Sequence, residues 1–193
     1  KLSNNEKNII RSRVWGHWDM IKKFLNLGLQ PLANQYQKKP IKLSVKKGQL
    51  YNLNIFFNTK SKLVSISKRI PSEKMFNSKY PYRSSMSHTM RSSFKNLSIK
   101  IKKKFKPNLL LEIGSNDGAL IKNFKKENVI GVEPCKNLAK ITKKKGYLTY
   151  DKYWDFNLAK KIKKKFNSVD VIYSANTITH ISNLNNVFRS INY

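Results

Sequence analysis

The chain has 193 residues, enough for one generous domain or two small ones, and 39% of them are hydrophobic and 11% aromatic, which supports a packed core and excludes wholesale disorder. Forty Lys and Arg face ten Asp and Glu, a formal net charge of +30, while a single cysteine, Cys135, excludes an internal disulfide. No apolar run reaches the roughly 18 residues of a membrane span, and the start carries no signal-peptide pattern, so the expected setting is the cytoplasm without membrane attachment.

Residues 1–90 show no clean period. Short apolar runs, Leu50 to Phe57 and Leu63 to Ile66, alternate with Lys, Asn, Gly and Ser, which predicts short strands and loops. Pro31, Pro40, Pro71 and Pro81 exclude long helices across those points. Over 91–106 the texture changes: Phe94, Leu97, Ile101 and Phe105 mark an amphipathic helix ending before Pro107.

From there two patterns alternate. Leu109 to Ile113 is a compact apolar run, Gly114 to Gly118 a turn, and Ala119 to Lys126 a predicted helix burying Leu120, Ile121 and Phe124. Val129 to Val132 is a second strand, followed by a helix over about 136–145 that buries Leu138, Ala139 and Ile141. A short strand at Tyr147 to Tyr150, a helix through Leu158, Ile162 and Phe166, a strand at Val169 to Ala175 and a helix through Leu184, Val187, Phe188 and Ile191 complete the series. Alternating strands and helices with short connections mean a parallel sheet with covering helices, an α/β Rossmann-like domain.

In such a sheet a ligand binds beyond the carboxyl ends of the strands, near the point where strand order reverses. The first strand ends in LEIGSNDGAL (111–120), with Gly114 at the strand end and Gly118 opening the predicted helix. The second ends in VIGVEP (129–134), where Glu133, nineteen positions after Gly114, reaches the same crevice and can accept both hydroxyls of a ribose. The loop Gly-Ser-Asn-Asp-Gly lacks the third glycine that a dinucleotide pyrophosphate requires. S-adenosylmethionine has no pyrophosphate, so the polar Asn116 and Asp117 are compatible with it and can serve its aminoacyl end. It is the expected cofactor.

The lysines recur in every segment, mostly on the polar faces of predicted helices, whereas a dedicated recognition surface would concentrate them, interleave aromatics for stacking and favour Arg. That disfavours specific nucleic-acid binding, although a basic nucleic-acid-binding protein or an RNA methyltransferase stands as the main alternative. A degenerate, non-catalytic remnant is a third reading.

Four segments resemble the sugar C-methyltransferases that act on keto intermediates of nucleotide-linked deoxysugars. FLNLGLQPLANQY (24–36) is similar to that family's N-terminal signature, and KYPYRSSMS (79–87) to its tyrosine–serine segment. LEIGSNDG with VIGVEP resembles its cofactor loop and ribose-binding strand end, and ANTITHISNLNNVF (175–188) its segment after the fourth strand. The resemblance implies an N-terminal zinc-type module over 1–78, a connecting segment and helix over 79–106, and a cofactor domain over 107–193. It implies that Tyr82 and Ser84 or Ser87 close over the cofactor, and that Gly114, Asn116, Asp117 and Gly118 hold its aminoacyl and ribose region. Glu133 would bind the ribose hydroxyls, Asn176 would line the pocket, and His180 would face a nucleotide-sugar substrate. His180 and Tyr82 are the candidate catalytic residues. Independently of the resemblance, carbon becomes nucleophilic only after loss of a proton beside a carbonyl, and a His after the fourth strand lies at the correct end of the sheet to assist.

Two departures from that family pattern stand out. The stretches where it carries zinc cysteines read Arg11-Ser-Arg-Val-Trp-Gly-His and Ser44-Val-Lys-Lys-Gly-Gln-Leu, without a cysteine, so a metal-free module is expected, with Trp15 and Trp18 as packing in its place. The chain also stops after four strands, where a complete domain of this class has seven and the family's Glu-His catalytic pair lies further on. The expectation is a fragment with little or no turnover, whose fourth strand offers an edge for self-association.

Overall fold

A computed structural model describes residues 21–34, 36, 50–66 and 70–193. The chain divides into two compact units, Lys1–Pro71 and Ser72–Tyr193. The stretch from Arg11 to His17, Trp18, and Ser44 to Gln49 lie outside the described residues, as do the expectations attached to them.

In the first unit, β1 (Ile21–Pro31), β2 (Leu50–Asn58) and β3 (Val64–Ile66) form an antiparallel sheet in the order β1-β2-β3. The two apolar runs read as strands are β2 and β3. The first half of the FLNLGLQPLANQY signature is strand as well. Its pairing with β2 shifts register between Asn26 and Leu29, at Gly28 with φ 67°, whose N–H donates to Asn26 Oδ1 at 2.9 Å. A positive φ costs glycine nothing, and the resulting bulge breaks the alternation by which a strand is recognised.

The second unit opens with a helical turn, α1 (Ser72–Met75), and the helix α2 (His88–Phe105). Ser87 caps α2, accepting from Met90 N, and the helix buries Ser98 and packs Phe94 and Ile101 against the sheet. Lys106, at φ 45°, ends it immediately before Pro107. Then follow β4 (Leu110–Ile113), β5 (Val129–Val132), α3 (Lys136–Lys144), β6 (Leu148–Tyr150), α4 (Phe156–Phe166), β7 (Val171–Ser174) and α5 (Leu184–Asn192). All four strands are parallel, in the order β6-β5-β4-β7. This is the Rossmann-like α/β arrangement that the alternating pattern predicts.

Leu111 and Ile113 face one layer, with Trp154, Leu158, Ile162 and Val187 from α4, α5 and the loop before α4. Leu110 faces the other, with Phe94 and Ile101 of α2 and Leu120, Ile121 and Phe124. Every residue of β4 and β5 is buried, whereas β7, at one end of the described sheet, is half-buried throughout. Strand order reverses at β4: the chain steps outward to β5 and β6, then returns to the far side of β4 as β7.

One expected element is corrected. Ala119 to Lys126 is not an α-helix but a turn with short 3-10 segments at Ile121–Asn123 and Lys126–Asn128. The Asn123 side chain donates to the Ala119 and Leu120 carbonyls, at 3.0 Å each, and Phe124 is extended. An asparagine amide competing for those carbonyls halts helix propagation. Leu120, Ile121 and Phe124 are buried as expected. In α3 the third buried residue is Thr142 rather than Ile141; Thr142 Oγ1 shares a hydrogen bond of 2.8 Å with Thr149 of β6.

Among the described residues no helix is long and apolar enough to cross a membrane.

Candidate active site

The carboxyl ends of β4, β5 and β7 meet at the reversal point, and the loop after β4 occupies it. Gly114 and Ser115 N–H both donate to Val132 O, at 2.8 and 3.1 Å, so the loop leaves β4 bent toward β5. Gly114, Asn116 and Gly118 have φ of 77°, 51° and 85°. Such a run of left-handed residues is cheap only with Gly and Asn in the sequence. A Cβ on Gly114 would overlap the Thr177 side chain, and one on Gly118 would lie 2.8 Å from Thr142 Cγ2. The space left open at Gly114 is thus filled by the loop after β7, which packs directly on the glycine turn.

Glu133 follows β5 and is buried at 4% exposure. Its Oε2 accepts from Asn116 N and its Oε1 from Cys135 N, both at 2.8 Å. The carboxylate therefore joins the glycine loop to the first turn of α3, where the helix dipole favours negative charge. Burial raises its pKa, and the hydrogen bonds from Cys135 and Asn116 pull it partly back. Each oxygen keeps a further lone pair for an incoming hydroxyl.

Asn116 and Asp117 point the other way, to the segment before α2. Ser84 N donates to Asn116 Oδ1 at 2.9 Å, and Asn116 Nδ2 donates to Tyr82 O at 3.3 Å. Ser85 N and Ser85 Oγ donate to the two oxygens of Asp117, at 3.1 and 2.5 Å. Tyr80 O is held by Asn137 Nδ2 at 2.8 Å, and Phe76 O by Tyr153 hydroxyl at 2.8 Å. Residues 76–87 thereby lie along the glycine loop, α3 and the loop after β6. Of the serines in this segment, Ser84 engages the loop through its backbone and Ser87 caps α2; the side chain that reaches the loop is Ser85. Tyr82 is partly exposed beside it.

Asn176, at φ 51°, and His180 sit after β7, both exposed. The His180 ring meets the Phe76 ring edge-on, with centroids 5.5 Å apart. An open groove of about 470 Å³ is lined by Lys136, Asp151, Lys152, Tyr153 and Asp155, from α3 and the loop after β6. Asp151 is paired with Lys143 at 3.0 Å. Burial, together with Glu73 and other nearby negative charge, pushes the Tyr153 hydroxyl up to about 12.

Two members of this assembly escape a reading of motifs. Ser85 is one. Glu112 is the other, a carboxyl in the middle of a buried strand, at 2% exposure with Oε2 unpartnered. Burial first, then the Glu133 charge, push its pKa up from the usual carboxylate range, and a hydrogen bond from the Ile121 backbone opposes them. Its signal was present: an acid inside an otherwise continuous apolar run is costly unless something uses it. Ser115 Oγ is likewise buried and unpartnered beneath the loop. The Cys135 thiol is buried next to Glu133, and burial first and then the Glu133 charge push its pKa up.

Three of the ten acids in this cationic chain, Glu112, Asp117 and Glu133, thus converge under one glycine turn. With Glu133 open to a ligand there, the turn suits hydroxyl groups better than a pyrophosphate. No curated protein matches the chain. Residues 82–193 match the family model described as a methyltransferase domain. A parallel sheet with its glycine turn at the strand reversal and an acid at the end of the neighbouring strand is the framework of that family's class I members, and this chain belongs to it.

Proposed function

We propose that the chain binds S-adenosylmethionine at the Gly114–Gly118 turn, with Glu133 accepting the ribose hydroxyls, and that its substrate is a nucleotide-linked keto-deoxysugar methylated at carbon. The observation that carries the cofactor part is the position of Glu133: buried, fixed by two backbone N–H groups, and placed across the turn from Asn116. The residues present fit the group. Glu112 Oε2 and Ser115 Oγ are buried polar atoms without a hydrogen-bond partner, Asp117 and Glu133 supply negative charge for a sulfonium and an ammonium, and the neighbouring open groove has room for a base.

When bound, the cofactor supplies an electrophilic methyl group. The chain's contribution is placement, since transfer from a sulfonium needs chiefly in-line approach of the nucleophile. In this reading His180, after β7, faces the substrate, and His180 and Tyr82 steady or deprotonate it. The sugar part of the proposal rests on the resemblance of the four segments described above. The diphosphate of such a substrate suits the chain's positive field, with Lys136 and Lys152 nearby.

Substrate class is tested by titrating a nucleoside-diphosphate-linked keto-deoxysugar, and separately a structured RNA, into the chain saturated with S-adenosylhomocysteine. Saturable sugar-nucleotide binding that weakens in His180→Ala is expected. RNA binding that tolerates salt and excludes the sugar nucleotide would replace this substrate with RNA.

A further inference from the structure

The hydrogen bonds of Asp117 have a consequence for how the site closes. The resemblance would have its carboxylate serve the cofactor directly, yet both of its oxygens are taken by one residue, Ser85. Asn116, beside it, is bonded through its N–H to Glu133 and through its side chain to Tyr82 O and Ser84 N. The ribose acid is therefore connected to the 82–85 segment through a single residue. On the outer side, Arg91 Nη1 donates to Ser85 O at 2.7 Å and to Met86 O at 3.1 Å, tying the same segment to α2. The segment's own apolar contribution is small: Tyr82 is 41% exposed and Met86 74%. Polar bonds, to the glycine turn on one side and to Arg91 of α2 on the other, are its main ties.

We propose that Ser85 is a positioning residue: its hydroxyl and N–H clamp Asp117, so that occupation of the glycine turn and docking of the Tyr82–Ser85 segment are one coupled event. This rests on the cofactor reading above. A ligand that bonds Glu133 stiffens Asn116, and through Asn116 and Asp117 it stiffens the segment that carries Tyr82. The coupling is reciprocal, so a segment that cannot dock lowers affinity for the ligand. The direct bond is short and charge-assisted, which makes it the strongest single link in the set.

Arg83 provides the readout. It is exposed and extended, with φ −126° and ψ 116°, while Ser84 next to it is buried, so trypsin can cut after Arg83 only when Ser84 has left the loop. Full-length wild type, Ser85→Ala and Ser85→Thr are compared by S-adenosylhomocysteine calorimetry and by the rate of trypsin cleavage after Arg83, with and without that ligand. In wild type the ligand is expected to slow cleavage several-fold. Ser85→Ala is expected to weaken binding by about tenfold, the worth of one charge-assisted hydrogen bond, to raise ligand-free cleavage, and to lose most of the ligand's protection. Ser85→Thr, which keeps the hydroxyl, restores all three. A wild type that binds while Ser85→Ala binds and is protected equally well overturns the clamp alone. A folded wild type that does not bind overturns the cofactor reading and the coupling with it.

Discussion

The two sides of the crevice are built differently. On the β4–β5 side every strand residue is buried, and Glu133, Asn116, Asp117 and Ser85 form a continuous hydrogen-bonded set. On the β7 side the strand is half-buried, and Asn176 and His180 are exposed. Beyond its pairing with β4, the ties near the crevice there include Thr177, packed on Gly114, Ser174 Oγ, which donates to Ile113 O at 3.0 Å, and the ring contact of His180 with Phe76. A site for an invariant cofactor is best made rigid, because ordering it on binding costs affinity. A site for a substrate can remain open, with its parts held by few contacts.

The junction between the sides is Gly114, and breaking it carries the largest effect on folding. Gly114→Ala is expected to cost about 2–3 kcal/mol, from a residue with a Cβ forced to positive φ and from overlap with Thr177. Chemical denaturation measures it. Adding Thr177→Ala in the same chain should recover part of the loss, because it removes the clashes with Oγ1 and Cγ2 and leaves the tight approach to Cβ and the backbone strain.

The inner side is sharpened by pH. Glu112 has its folded pKa raised well above the value of an unfolded chain. Its neutral form is favoured by folding, so its contribution is fully present below the unfolded pKa and is lost as pH rises toward the folded one. Stability should therefore fall on going from mildly acidic to neutral pH, with a slope of at most about 1.4 kcal/mol per pH unit for this one proton. Glu112→Gln should flatten that part of the profile while keeping the fold. An unchanged profile would remove Glu112 from the account.

How much of this was legible follows from what each residue does for the chain. Gly114, Gly118 and Glu133 are visible because a sharp turn between a strand and its crossover constrains residue type, and an acid ending an apolar strand is conspicuous. Glu112 carries a weaker signal of the same kind, an acid inside an apolar strand, which a reading centred on the glycine turn passes over. Ser85 is hidden for another reason: its neighbours Ser84 and Ser87 are chemically identical, and only the geometry of the turn at Ser84–Met86 decides which hydroxyl reaches Asp117. The absent helix after Gly118 depends on one amide, Asn123, whose side chain competes with the backbone. In β1, the bulge at Gly28 conceals a strand that is otherwise eleven residues long.

The outer side should give the smallest effect on the cofactor. His180→Ala removes a ring contact worth about 1 kcal/mol and touches no member of the Glu133 set. Its affinity for S-adenosylhomocysteine is expected to stay within about twofold of wild type by calorimetry. A large loss would mean that the two sides are not separate.

Calorimetric titration of S-adenosylhomocysteine into the wild-type chain and into Glu133→Ala tests the central claim most directly. The account predicts saturable binding by wild type and a loss of about 100-fold or more in the variant, as two charge-assisted hydroxyl bonds disappear. Absence of binding by a folded wild-type chain, or equal binding by folded wild type and Glu133→Ala, would contradict it.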